Sequence, residues 1–175
     1  MPRIQKVEGF VLKKKVLLEQ DILVTLFTEE FGKIVAMAKG ARKITSRRAA
    51  HLQTGNLITA QLSESHDMYF IQSTEILSGF MQIKTEQKLN VLYLYLFIMD
   101  KLLPERQQEK SLYILTKRFF IQLSKDSKNP NDILQSTLLQ TLDELGYLQH
   151  EQSLDQLLQT VENNIEEKLP RHVIM

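Results

Sequence analysis

An α+β architecture, a five-stranded barrel followed by a small helical bundle, follows from how this 175-residue chain changes midway. Before Phe80, apolar residues come in short β-rich runs divided by turn residues. After it they recur at helical spacing between prolines. Charge changes at the same place. Residues 1–80 hold eleven Lys or Arg against eight Asp or Glu, and residues 81–175 hold eleven against thirteen, so the total of +1 divides into +3 and −2. The expected domains are 1–80 and 81–175.

Residues 7–13 form the first strand, after a charged start. Residues 21–28 are apolar on both faces, as in a central strand, and Glu29-Glu30-Phe31-Gly32 then supplies a turn in which Gly32 suits a positive φ. The chain returns over 33–39. A helical turn falls near 48–53, and residues 57–62 and 68–77 make a second hairpin about 63–67. Five strands with a helical turn between the third and fourth is the pattern of an OB-fold barrel, although other small barrels share the count.

Three of the four prolines, Pro104, Pro130 and Pro170, punctuate the remainder. The helical stripes between them are Leu89, Leu92, Tyr93, Leu96 and Phe97; then Leu112, Leu115, Phe119 and Leu123; then Leu134, Leu138, Leu142 and Leu145. Pro130-Asn131-Asp132 starts a helix and Gly146 sits where a C-terminal cap falls. A last amphipathic segment covers 154–169.

The composition, 43% hydrophobic and 25% charged, is that of a soluble globular protein. With no cysteine, disulfides and thiolate zinc sites are excluded, and no metal or other cofactor is expected. The start of the chain shows no signal-peptide core, and its longest apolar patch, residues 91–99, is too short to span a bilayer. A cytoplasmic, nucleoid-associated protein with no membrane partner is the expectation. His51, His66, His150 and His172 lack metal-ligand spacing and read as ordinary surface histidines. The stretch 40–46 lacks the Gly-Lys-Ser/Thr ending of a phosphate loop, Ser46 has no Gly-x-Ser-x-Gly context, and Glu29 and Glu30 point apart on a turn. No catalytic residue is expected.

The stretch with most chemistry is 39–48. Lys39, Arg42, Lys43, Arg47 and Arg48 carry five positive charges, and with Lys33 the run 33–48 has six and no carboxylate. Leaving a strand, such a loop can hold phosphates, with Thr45 and Ser46 as hydroxyl donors and Gly40 giving close backbone approach. A solvated basic turn is the bland alternative. An OB barrel binds single strands across its second and third strands and the flanking loops. On that frame Lys13, Lys14 and Lys15 occupy the loop between the first two strands. Phe31, Tyr69 and Phe70 are possible stacking platforms, with core packing weighed evenly for Phe31 and Tyr69 and favoured for Phe70. With few aromatics, backbone electrostatics should dominate and sequence preference should be weak.

Three blocks carry a family resemblance: Glu8-Gly9-Phe10-Val11-Leu12; residues 25–33, Thr-Leu-Phe-Thr-Glu-Glu-Phe-Gly-Lys; and Lys39-Gly40-Ala41-Arg42-Lys43 with Ser46. In order and spacing they resemble the bacterial recombination mediator family RecO. The likeness covers most of 7–148 and is densest to about residue 52, with 132–147 resembling the family helix that ends in Leu-Gly-Tyr. It implies an N-terminal OB-fold and a helical domain. It also implies a non-catalytic mediator of DNA repair and recombination that binds single- and double-stranded DNA and promotes strand annealing or recombinase loading. A RecR-like ring protein and the tail of single-stranded DNA-binding protein are the implied partners, and Lys39, Arg42, Lys43 and Arg47 the implied backbone contacts. Two departures stand out. Many relatives have a cysteine cluster after that helix and this chain has none, and longer relatives continue past it. The reading from another class is a protein adaptor whose basic loop meets an acidic partner that itself holds the DNA.

Overall fold

A computed structural model gives the fold and describes residues 4–43, 46–79, 82–125, 128–148 and 152–170. Thr45, His150 and His172 lie outside the described residues. The chain divides into two units, Met1–Phe80 with Leu103–Glu109, and Met81–Leu102 with Lys110–Met175. Residues 103–109, expected within the helical domain, thus belong to the first unit.

Strand β1 (Ile4–Val16) organises that unit because it serves two neighbours. Its first half pairs antiparallel with β4 (Leu57–Ser65) and its second half with β2 (Ile22–Thr28). A bulge between Val11 and Lys13 leaves Leu12 unmatched, so Val11 and Leu12 are buried in succession and the strand bends. It then runs on through Lys13, Lys14 and Lys15, opposite Thr25, Val24 and Leu23. These lysines are strand residues, not the loop expected. The bulge carries the pairing past the point where hydrophobic alternation stops.

β2 turns through Glu29–Phe31 into β3 (Gly32–Ala38), and the Thr28 hydroxyl closes the turn by donating to the Gly32 carbonyl (2.9 Å) and accepting from the Phe31 N–H (3.1 Å). Helix α1 (Arg48–His51) follows, then β4 and β5 (Met68–Ser78). Their turn is only His66-Asp67, both at positive φ, tighter than the expected 63–67. β5 lies parallel to β3 and the barrel closes in the order β1-β2-β3-β5-β4, the five-stranded barrel expected. Inward residues such as Val24, Leu26, Ile34, Ala36 and Ile58 are at most 1% exposed, and Leu52, at the end of α1, joins them. Buried Asn56 donates to the Ala50 and His51 carbonyls, which satisfies the end of α1.

The β3–β5 seam is short, with register pairs only at Ala36–Tyr69 and Met37–Phe70. Farther along β3, residues 103–109 take the place of a strand. Lys33 forms a parallel bridge with Glu105, its carbonyl accepts from the Arg106 N–H (2.8 Å), and Gln108 donates to the Glu29 carbonyl (3.0 Å). At Gly32 (φ +66) an added Cβ would lie 1.7 Å from the Gln107 carbonyl oxygen.

The second unit is four helices: α2 (Glu86–Leu102), α3 (Lys110–Ser124), α4 (Pro130–Glu144) and α5 (Leu154–Ile165). α2 touches the other three and is buried through Val91, Leu92, Leu94, Tyr95, Ile98 and Met99. Its expected stripe is therefore displaced, with Tyr93 exposed and Phe97 half-buried, because a central helix needs no single apolar face. The stripe of α3 is buried as read, and of the third stripe Leu134, Leu138 and Leu142 are buried while Leu145, the residue capping α4, is half-buried. Asn129 caps α4 ahead of Pro130. Gly146 (φ +76) ends it, with Gly146 N–H on the Asp143 carbonyl and Tyr147 N–H on the Leu142 carbonyl. α5 stops at Ile165, short of 169. Buried Glu162 accepts from the Leu169 N–H (3.0 Å) and the Lys168 ammonium (3.1 Å), which turns the chain back.

Packing sets two expected outcomes. Gly32→Ala should cost about 2–3 kcal/mol in urea denaturation, from the φ and from backbone displaced at Gln107. Tyr95 is fully buried, its ring centroid 4.3 Å from that of Phe119, and desolvation lifts its hydroxyl above the usual 10.0 against the lowering effect of Thr116 and Thr141. Its folded-state pKa exceeds its unfolded one, so only the unfolded chain ionises as pH passes 10.0 and stability falls above that value. Tyr95→Phe should make the alkaline limb of the stability–pH curve shallower.

Candidate nucleic-acid interface

The end of β3 leads into a turn whose shape is set by two neighbours. The Gly40 N–H donates to the Asp21 carboxylate (2.6 Å) and the Arg42 N–H to the Gln20 carbonyl (3.0 Å). Lys43 N–H then bonds the Gly40 carbonyl, and Ser46 N–H the Lys43 carbonyl. The β3–α1 loop is thus tied to the β1–β2 turn, and buried Ala41 anchors it below. Lys39, Arg42, Lys43 and Arg47 are exposed, and no described residue forms an ion pair with any of them. Cations without a carboxylate partner can receive a polyanion without first breaking an ion pair.

Arg48 is different. Its guanidinium donates through Nη1 to the Ile71 carbonyl (3.0 Å) and through Nη2 to the Lys39 carbonyl (2.7 Å), and Nε lies 3.4 Å from the Ser46 hydroxyl. Those carbonyls belong to the two chains just past the last β3–β5 register pair. Arg48 continues the seam with a side chain, and Ser46 serves it, also accepting from the Arg48 N–H (3.3 Å). Both were expected to contact phosphate, and in the structure both have internal partners.

Lys33 is also removed from the expected group. It is 8% exposed, at the opposite end of β3, where its backbone meets Glu105 and Arg106. Lys14 is half-buried and donates to the Gln53 side chain, which binds β1 to the exit of α1. Lys13 and Lys15 alternate with it and are exposed on the outward face. Register places Lys15, Leu23, Met37 and Phe70 in one row across β1, β2, β3 and β5, with Lys13, Thr25 and Val35 in the next full outward row. Leu23, Val35, Met37 and Phe70 are half-buried, so this face is an apolar strip edged by lysines.

The structure separates the three candidate rings. Tyr69 is 8% exposed, its ring stacked on Phe31 at 6.0 Å and covered by the Arg106 guanidinium at 5.1 Å. Its hydroxyl is pushed up by burial and by Glu64, against the pull of Arg106. Phe31 packs on the same core, so neither ring is a free platform. Phe70 faces outward, with the Lys39 ammonium 5.0 Å from its centroid. It lines a cleft of about 490 Å³ with Met37, Lys39, Arg48, Ser65, Ile71 and Gln72. The sequence carried that signal: Phe70 alternates with Ile71 and falls in phase with polar Gln72. Among the described residues no group of three or more ligand-type side chains could hold a metal, and no helix is long and apolar enough to cross a membrane.

Residues 1–80 match the family described as Recombination protein O N terminal. The DNA repair protein RecO of Caldanaerobacter subterraneus subsp. tengcongensis is 30% identical over 147 residues, 83% of this chain and 60% of the relative. That of Symbiobacterium thermophilum is 29% identical over 145 residues, 82% and 57%. That of Exiguobacterium sibiricum is 34% identical over 113 residues, 64% and 45%. The chain spans about three-fifths of the length of the first two relatives, and the first alignment is longer than the 80-residue match.

The neighbouring arginines at the start of α1, Arg47 at its N-cap and Arg48 at its first position, should respond differently to mutation. Arg48→Ala should lower stability by about 1–3 kcal/mol, because charged hydrogen bonds to two carbonyls disappear. Arg47→Ala should stay within about 0.5 kcal/mol of the parent, as expected for an exposed surface position. Urea midpoints of the two variants decide this.

Proposed function

The chain belongs to the RecO family through its first 80 residues, and on that premise we propose a non-catalytic DNA-binding mediator of repair and recombination. Its barrel would hold single- and double-stranded DNA, and its action would be strand annealing or recombinase loading. The observation that carries this reading is the set of exposed cations Lys39, Arg42, Lys43 and Arg47, placed beside the lysine-edged outward strip of β1, β2, β3 and β5. Phosphates fit the turn. Bases fit the strip, with Phe70 as the stacking surface and Lys39 between the two.

Such an arrangement reads no sequence, because its charged groups meet phosphate and its one outward ring accepts any base. The helical unit suits a different task. The run 143–167 has seven acidic residues and no basic one, which repels DNA and leaves protein contacts as its role. A RecR-like ring protein and the tail of single-stranded DNA-binding protein are the proposed partners.

Replacing Arg42, Lys43 and Arg47 together with Ala should weaken binding to all DNA sequences alike and leave the fold intact. In a salt titration of single-strand binding, the slope of log affinity against log salt should flatten by about 0.7 for each phosphate that is no longer neutralised. An unchanged slope would move the site elsewhere. Absence of binding by the parent chain at low salt would favour the adaptor reading.

A further inference from the structure

The turn joining β1 to β2 presents a feature that phosphate binding does not use. Leu18 is 89% exposed and Val16 51%, at the tip beside the cationic loop. The two residues after Leu18, Glu19 and Gln20, both hold positive φ, 57° and 67°, a region that side-chain-bearing residues rarely adopt. The turn is nonetheless tightly fixed. Leu17 N–H bonds the Asp21 carbonyl (3.0 Å), Asp21 N–H the Leu18 carbonyl (3.3 Å), and the Gln20 carbonyl takes the Arg42 N–H. Backbone strain is therefore held in a turn whose most prominent product is a leucine in solvent, and strain of that kind concentrates at functional sites.

We propose that Leu18 is a wedge that enters the base stack of DNA held by the neighbouring cations. The inference rests on the DNA-binding reading above and adds what happens to the bases. Apolar side chains inserted between base steps unstack them, and the cost is met by phosphate contacts close by. Here the contacts are the exposed cations of the turn that Gln20 and Asp21 tie to this tip. Exposed Glu19 on the same turn makes the tip itself no phosphate contact and leaves the phosphates to the cations of the neighbouring turn. Bases carry no net charge and suit it. For a mediator of annealing, a residue that breaks stacking in a captured strand leaves its bases ready for a new partner.

The test uses the full chain and an oligonucleotide labelled with aminopurine, whose emission rises on unstacking, with affinity read separately by anisotropy. The parent should raise emission on binding. Leu18→Ala should keep the parental melting temperature, lose most of that rise at saturation, and bind more weakly by roughly tenfold or less. Leu18→Met should restore the rise. A full rise with saturating Leu18→Ala overturns the wedge while leaving DNA binding standing, whereas no anisotropy change with the parent overturns the DNA-binding reading and the wedge with it. Sedimentation with phosphatidylglycerol vesicles that depends on Leu18, without an effect on aminopurine emission, would overturn the wedge and assign the tip to a membrane surface instead.

Discussion

Closure of the barrel between β3 and β5 is the constraint on which the rest of the first unit depends. Five short strands enclose a core only if the last edge is paired, since an open edge leaves a row of buried or exposed backbone groups without partners. Main-chain pairing supplies only two register positions here. Arg48 extends the seam on one side through the Ile71 and Lys39 carbonyls, and residues 103–109 complete β3 on the other. Side chain and connector do the work that two more residues of strand would have done.

The same devices determine what the surface can offer. Because Arg48 holds the Lys39 carbonyl, the chain leaves β3 at a fixed angle, and Asp21 and Gln20 then fix the turn from the other side. The backbone that carries Lys39 and Arg42 is thereby held from two sides while their side chains stay exposed. At the far end of β3, Arg106 covers Tyr69 and contacts Glu64 (3.5 Å). One strand thus has a closed end and an open one, and only the open one is basic at its surface.

Much of this was legible. Period-two apolar runs, the turn at Gly32 and the prolines located the strands and helices, because those signals arise from local geometry. Three things were not legible in the same way. A bulge at Leu12 inserts one residue and shifts the phase of everything after it, so three lysines that read as a loop are strand. Arg47 and Arg48 are chemically identical, and only the path of α1 decides which one reaches two carbonyls. Residues 103–109 sit between helices, and no periodicity links them to a strand far upstream. The Tyr69 and Phe70 parity was readable from Ile71 and Gln72, and favouring core packing for Phe70 ran against that alternation. In the second unit, Ser153 and Gln156 form a capping box whose spacing was likewise readable, with Ser153 N–H on the Gln156 side chain (2.9 Å).

The connector has a consequence in time. Gln108 and Glu29, which meet across the completed edge, are 79 positions apart in the chain. At synthesis rates of about 5–20 residues per second, the stretch between them takes roughly 4–16 s to make. During that interval β1 to β5 have emerged, or are emerging, while the Gly32 end of β3 still lacks its neighbour. The nascent barrel therefore exposes one strand edge on the ribosome until α2 and the connector have been made. Pairings of such long sequence separation also slow refolding from denaturant relative to a barrel closed by its own hairpins.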